Sequence, residues 1–220
     1  MKTIFKMVGH GEPATTSALA QRLGVTAPSV SVMLKRLTAH GLVQRDVDQT
    51  AALTAHGSDH ARAVIRRHRL LETFLARVLD VPWDEVHAEA ETLEHAVSDR
   101  LLARIDDHLG HPIVDPHGDP IPPPSGVHSE QWGERLSQVK AGSDFRVERV
   151  DDRDSAALRY LASIGVRPGV HLEVVERAPF GGPLWLRING QDEALGEQLT
   201  TLIYGKSSAA AQATPAAGEA

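Results

Sequence analysis

Between Thr16 and Val43 the apolar residues Leu19, Leu23, Val25, Val30, Leu34, Leu37 and Leu42 recur at helical spacing, with a break around Gly24. Leu19 and Leu23 share a helical face, Gly24 permits a sharp turn, Thr26 can cap a second helix, and Pro28 fits that helix's first turn. The pattern predicts helix, short turn, helix. The stretch from Gly41 to Thr54 then reads as a short β-hairpin wing. The first 110 residues read as mainly helical, until Pro- and Gly-rich sequence near residues 110–127 interrupts the periodicity.

From residue 145 the period shortens. Phe145, Val147 and Val150, then Val170, Leu172 and Val174, then Leu184, Leu186 and Ile188 alternate with polar residues, as half-buried strands do. Asn189-Gly190 signals a tight turn between two strands. A small β-barrel is the expected way to remove sheet edges from so short a segment. The Ala-, Ser-, Gly- and Pro-rich stretch from Ser207 to Ala220 cannot bury enough apolar area to offset its ordering entropy and is expected to be disordered.

In a helix-turn-helix the second helix enters the major groove with its N-terminal residues toward the base edges. Here that surface would comprise Thr26, Pro28, Ser29, Ser31, Val32, Lys35 and Arg36. Charge supports a polyanionic partner: residues 1–70 carry ten Lys/Arg against four Asp/Glu, whereas residues 71–220 carry 13 against 25. A helix pair that serves only packing, or a winged helix that contacts protein, is the competing reading. The acidic remainder suits cation binding.

Chemistry of that kind is visible in PWDEVHAEAETLEHAVSDRLLARIDDHLG, residues 82–110, read as a helix that pauses near Ser98, itself a candidate cap for another helix. At about 100° per residue His87, Glu91, Glu94 and His95 share one face, and Val86, Ala90, Leu93 and Val97 form an adjoining apolar stripe suited to a core or a dimer. Upstream, His68 and Glu72 stand i, i+4 and so point to a common side. The chain of 220 residues has no cysteine, so thiolate sites and disulfides are excluded. The nitrogen and oxygen donors suit Mn²⁺, Fe²⁺, Zn²⁺ or Co²⁺, and the oxygen-rich set favours the harder ions. A hydrolytic metal centre is the rival use, but HExxH, a nucleophile elbow and a phosphate loop are all missing. No segment resembles a signal peptide or a membrane span, which points to a cytoplasmic protein with no membrane partner and no small-molecule substrate.

VIRRHRLLETFL (64–75), VHAEAETLEHAVSDRL (86–101) and the DPHGDPIP turn (115–122), following a winged helix-turn-helix, resemble the diphtheria toxin repressor family of metal-dependent regulators over residues 1–205. The resemblance implies a homodimer on operator DNA. It implies an ancillary metal site at His68, Glu72 and His87 and a regulatory site at Glu91, Glu94 and His95. Glu at position 91, where iron-sensing relatives have Cys, points to the manganese branch, with Fe²⁺ as the alternative and Zn²⁺, Co²⁺ or Cd²⁺ able to substitute in vitro.

Residues 145–204, with RYLASIGVRPG and PFGGP, resemble the family's SH3-like, FeoA-type domain, in which Glu148 and Asp151 match further ancillary ligands. A ligand that the family carries on its first helix falls just before Met1. The expected architecture is a mainly α winged helix-turn-helix (1–60) and helical metal-binding and dimerisation domain (61–125), a linker (126–143), and a small all-β SH3-like barrel (144–205) with a disordered tail (206–220). His117 is expected to serve only the backbone geometry of its turn.

Overall fold

The computed structural model describes residues 1–209 apart from His10, Val47, Gln49 and residues 126–131. The chain divides into two compact units, Met1–Gln131 and Trp132–Ala220.

The first unit begins with α1 (Lys2–Gly9), α2 (Thr16–Leu23) and α3 (Ala27–Ala39), followed by the antiparallel pair β1 (Val43–Arg45) and β2 (Ala51–Leu53). Gly24 ends α2 at φ 64°, a left-handed conformation that suits glycine. Thr26 then caps α3, its hydroxyl accepting from the Ser29 amide, and Pro28 lies in the first turn. Ile4 and Met7 of α1, Leu19 and Ala20 of α2, Val30 and Leu34 of α3, and Val43 and Ala51 of the hairpin close over one another as a core. The helix-turn-helix and its wing are as the periodicity predicts. Leu23 and Val25 are not part of that core: they flank the turn and are exposed, because the core face of α2 ends with Leu19 and Ala20.

The second half of this unit is built on α4 (Ala55–Val78), against which α5 (Val86–Leu93) and α6 (Asp99–Leu109) pack. Leu71, Leu75, Val86, Ala90 and Ile105 form their core, with Leu93 and Val97 packed on its margin, so the expected apolar stripe faces inward. Ser98 caps α6, its hydroxyl accepting from the Leu101 amide at 3.3 Å. Thr54 joins the wing to α4: its hydroxyl donates to the Gly41 carbonyl at 2.7 Å and accepts from the Gly57 amide at 2.9 Å.

The second unit is a sheet of β3 (Glu134–Arg135), β4 (Ser143–Val150), β5 (His171–Arg177), β6 (Leu184–Ile188), β7 (Gln191–Leu195) and β8 (Ile203–Ala209), with α7 (Ser155–Ser163) and α8 (Glu197–Thr200). The strand order is β3-β8-β4-β5-β6-β7, every pair antiparallel. Alternation is read correctly, since Leu184, Leu186 and Ile188 are buried while Trp185 and Arg187 face out. Asn189 and Gly190 form the β6–β7 turn, at φ 50° and 81°.

The expected closed all-β barrel is corrected. Among the described residues β3 and β7 are the two edges of an open sheet, and helices interrupt the strands. A two-residue β3 is too short to seal the sheet, and a short edge strand itself limits edge pairing. Within the stretch read as a linker, Leu136 and Val139 are buried beside β3, and Lys206 to Ala209 extend β8 into the stretch read as a tail. Residues 210–220 and the start of the linker lie outside the described residues.

The first unit's geometry depends on a glycine at position 57, since a Cβ there would stand 1.8 Å from the Leu42 carbonyl oxygen. Gly57→Ala should force the N-terminus of α4 away from the wing and destabilise this unit by about 1–3 kcal/mol. Thermal unfolding of the variant beside wild type measures the loss.

Candidate metal centre and nucleic-acid interface

The α4 helix buries three ionisable side chains within five residues: His68, Arg69 and Glu72. Burial of an ionised group is costly unless charge and hydrogen bonds compensate it, and each of these has partners from other segments. His68 Nε2 and His87 Nδ1 each lie 3.0 Å from Glu72 Oε1, and the two nitrogens are 3.1 Å apart. On the other side of the same ring, His68 Nδ1 lies 2.9 Å from Glu94 Oε2. Glu94 also accepts both hydrogen bonds of the Lys2 ammonium, at 3.0 and 3.1 Å. One chain of contacts therefore runs from α1, through Glu94 and His68, to Glu72 and His87.

The turn bearing Glu94 is fixed by Arg67 of α4, which donates to the Glu94 carbonyl at 3.3 Å and the Val97 carbonyl at 2.7 Å and pairs with Asp99. These bonds satisfy carbonyls that the end of α5 leaves open. His95 follows in the same turn, its side chain 83% exposed and 3.6 Å from Glu94 Oε1. Glu91 lies on the exposed side of α5. Of the six donors expected in this unit, His68, Glu72, His87 and Glu94 are brought together, His95 touches the margin, and Glu91 stands outside. The helical wheel placed them on one face, but α5 stops at Leu93, and His95 belongs to the following turn.

Electrostatics follow from these contacts. Burial works against a charged His68, but hydrogen bonds to Glu72 and Glu94 outweigh it and raise its pKa above the ordinary 6.5. Burial pushes the Glu94 carboxyl up, but hydrogen bonds from His68 and Lys2 outweigh it and pull it down to about 2.

A second group was not anticipated. Glu72, Asp115 and His117 are all buried and present ligand atoms within 4.8 Å of one another. Asp115 Oδ1 accepts from the His117 and Asp119 amides, both at 2.9 Å, which folds the DPHGD turn around the carboxylate. His117 has no exposed surface, and its Nε2 donates to the Trp83 carbonyl at 2.7 Å. A carbonyl can only accept, so in the neutral ring Nδ1 carries the lone pair. A backbone carbonyl that orients an imidazole in this way is a recurrent support of metal ligands. His117 is thus held by the turn, as expected, and in addition stands beside Glu72 and Asp115. The DPHGD spacing names a turn, but nothing in it reveals that the turn packs against Glu72, 43 positions upstream of Asp115 in a different helix.

In the second unit Glu148 pairs with Lys206 at 2.9 Å, and Asp151 is held by the Arg153 guanidinium through contacts including one of 2.7 Å.

The expected nucleic-acid surface is largely open. Thr26, Pro28, Ser29, Val32, Lys35 and Arg36 are exposed and Ser31 is half-buried. The charge tally behind it needs revision. Arg22, Arg62, Arg66, Arg67 and Arg69 pair with Glu12, Asp59, Asp106, Asp99 and Asp119 respectively, and Lys2 with Glu94, so six of the ten cations counted in the front half form ion pairs within this unit.

Three family models match the chain. "Iron dependent repressor, N-terminal DNA binding domain" covers residues 1–51, "Iron dependent repressor, metal binding and dimerisation domain" covers 54–123, and "FeoA domain" covers 134–206. The iron-dependent repressor IdeR of Mycobacterium tuberculosis is 34% identical over 195 residues, which cover 83% of this chain and 84% of that protein. The diphtheria toxin repressor of Corynebacterium diphtheriae is 28% identical over 213 residues, 92% of this chain and 93% of its own. A solved structure described as a manganese-dependent transcriptional repressor in complex with manganese superposes with a TM-score of 0.79 at 44% identity, covering 88% of this chain and 90% of that one. The manganese regulator SloR superposes at 0.78 and 31% identity, covering 94% and 96%.

Fold and donor cluster thus define a metal-dependent DNA-binding regulator and not an enzyme. The chain belongs to the diphtheria toxin repressor family of metal-dependent transcriptional repressors.

The His68 contacts set a pH dependence in chelator-treated protein. Because its folded pKa is raised, their contribution is complete below pH 6.5 and is lost as pH rises through the folded value. The melting temperature of the first unit should therefore fall as pH increases above 6.5, and His68→Gln should flatten that fall. Thermal melts at closely spaced pH values in chelator provide the check.

Proposed function

We propose that this chain is a manganese-responsive transcriptional regulator that binds operator duplex as a homodimer when divalent metal is held by the α4–α5 cluster. The observation that carries the reading is the convergence of His68 and Glu72 from α4, His87 from the start of α5 and Glu94 from the turn after it. The donor set fits such an ion. Its atoms are all nitrogen and oxygen, and neighbouring donors around a small octahedral cation at about 2.1 Å stand about 3 Å apart, as Glu72 Oε1, His68 Nε2 and His87 Nδ1 do here.

His68, Glu72 and His87 would form the ancillary holder, and Glu94 with His95 and Glu91 the regulatory one. Glu72, Asp115 and His117 offer a further set that shares Glu72. Glu148 and Asp151, the additional ligands suggested by resemblance, would each exchange a cationic partner, Lys206 or Arg153, for the ion. Bound metal supplies fixed positive charge and bonds that draw these donors together. Glu94 then has two competing claims on it, because its oxygens already neutralise Lys2 and His68. Lys2 stands on α1, which shares its core with α2 and α3, so the state of Glu94 is passed to the helix that faces DNA. A two-fold dimer places two such helices on successive major-groove turns, roughly 34 Å apart.

Manganese over iron is supported by the absence of any thiolate and by Glu at position 91, and by the manganese named in the similar solved structures. Iron is the alternative, since the similar IdeR of Mycobacterium tuberculosis is an iron-dependent repressor.

Glu72→Ala and Glu94→Ala should each weaken Mn²⁺ binding by more than the roughly tenfold that loss of an outer-shell partner costs, and should abolish metal-dependent gel shifts of operator DNA. Calorimetric titration and gel shifts with Mn²⁺, Fe²⁺ and chelator measure both. Unaltered metal dependence in the variants would refute the donor assignment, and stronger activation by Fe²⁺ would transfer the chain to the iron branch.

A further inference from the structure

We propose that Glu72, Asp115 and His117 form a structural cation site, separate from the sensing donors, in which one divalent ion fastens the 115–119 turn to α4. The inference rests on the metal-binding reading above through Glu72, which both sets share.

The turn closes on itself through its backbone. The Asp115 amide donates to the Asp119 carbonyl at 3.0 Å, the Gly118 amide donates to the Asp115 carbonyl at 3.1 Å, and Val114 bridges Pro120. Its side chains are nevertheless taken out of water: Asp115, His117 and Asp119 are 4%, 0% and 1% exposed. Arg69 of α4 brings one positive charge to these acids, its Nη2 3.2 Å from Asp119 Oδ1 and its Nε 3.8 Å from Asp115 Oδ2. With Arg69 matched to Asp119, the carboxylates of Glu72 and Asp115 remain gathered with His117, the three presenting ligand atoms within 4.8 Å of one another.

His117 supplies the observation that points to an ion. Its Nε2 is committed to the Trp83 carbonyl at 2.7 Å, and its ring stacks on Trp83 with centroids 5.5 Å apart and planes 28° apart. The ring is thereby fixed, while Nδ1, which holds the lone pair, is buried with no hydrogen-bond partner among the described residues. A buried acceptor left unmatched is costly, and ionised carboxylates have no proton to offer it. A divalent cation answers all three groups at once: it takes the Nδ1 lone pair, and its two charges balance Glu72 and Asp115, leaving a neutral buried set. Two oxygens and one imidazole nitrogen suit Mn²⁺, Fe²⁺ or Zn²⁺. Glu72 meets His68 and His87 through Oε1, so its second oxygen completes the set on the turn side. The ion would join α4, the loop after α6 and, through His117, the segment that bears Trp83, and so act on the stability of these segments and not on the reading helix.

The test counts the Mn²⁺ bound per full-length chain, by equilibrium dialysis and metal analysis, in wild type and two variants. Asp115→Asn keeps the oxygen that accepts from the His117 and Asp119 amides, and His117→Gln keeps an N–H for the Trp83 carbonyl, so each removes a metal donor while preserving the turn. Wild type should bind one ion per chain more than the ancillary and regulatory sets account for, and each variant should bind one fewer than wild type. The variants should also lose part of the rise in melting temperature that Mn²⁺ confers. Their metal-dependent gel shifts should persist, with the Mn²⁺ midpoint moved by no more than about tenfold, the lower end of what loss of an outer-shell partner costs. Absence of the extra ion in wild type, or an unchanged ion count in either folded variant, overturns the proposal in favour of a water on Nδ1 and leaves the regulator reading intact. Loss of the gel shift together with the ion also overturns it, because these donors would then belong to the sensing site. Failure of wild type to bind any Mn²⁺ overturns both this proposal and the reading beneath it.

Discussion

The first unit depends on the cost of burying His68, Arg69 and Glu72 on one stretch of α4. Charged groups lose several kcal/mol of solvation on burial, so α4 is tolerable only if other segments bring compensation to it. The partners are distributed: His87 comes from α5, Glu94 from the turn that follows it, and Asp119 with the Pro120 carbonyl from the loop after α6. Neighbouring Arg66 and Arg67 extend the same arrangement to Pro122, Asp106, Val97 and Asp99. Segments without regular structure are thus ordered by what α4 requires of them. The donor cluster is a product of that requirement and not a separate addition to the domain.

Much of this was legible where the signal is local. Gly24, Thr26 and Pro28 specify a turn and cap within five residues, and Asn189-Gly190 specifies a hairpin, because the backbone conformations involved suit few other residues. The i, i+4 pair His68 and Glu72 is likewise a property of one helix. The wheel that joined His87 to Glu91, Glu94 and His95 held for His87 and Glu94 only: Glu91, inside α5, faces outward, and His95 lies in the turn that follows Leu93.

Non-local features were not legible. Alternation in the second unit assigns each residue a face but is silent on whether the outer strands meet, so a closed barrel and an open six-stranded sheet share one pattern. The charge tally was misleading for a related reason: it counts arginines without their partners, and those of α4 neutralise acids of their own unit. His117 shows the same limit from the other side. Its place beside Glu72 depends on a turn docking against α4, a contact that no spacing encodes.

The placement of Lys2 explains how one cluster can serve both stability and regulation. Without metal, the carboxylates of Glu94 and Glu72 still have compensation, because the Lys2 ammonium bonds Glu94 and the His68 ring bonds both acids. The domain can therefore remain folded in either state, which a sensor requires. A site whose acids were left uncompensated would couple metal loss to unfolding instead of to rearrangement. The compensating ammonium stands on α1, which shares its core with α2 and α3, so a metal that displaced it from Glu94 would change the attachment of the reading helix and not merely the local charge. Under the proposed assignment Glu94 would be both the sensing group and the mechanical link, since one carboxylate faces His68 on one side and Lys2 on the other.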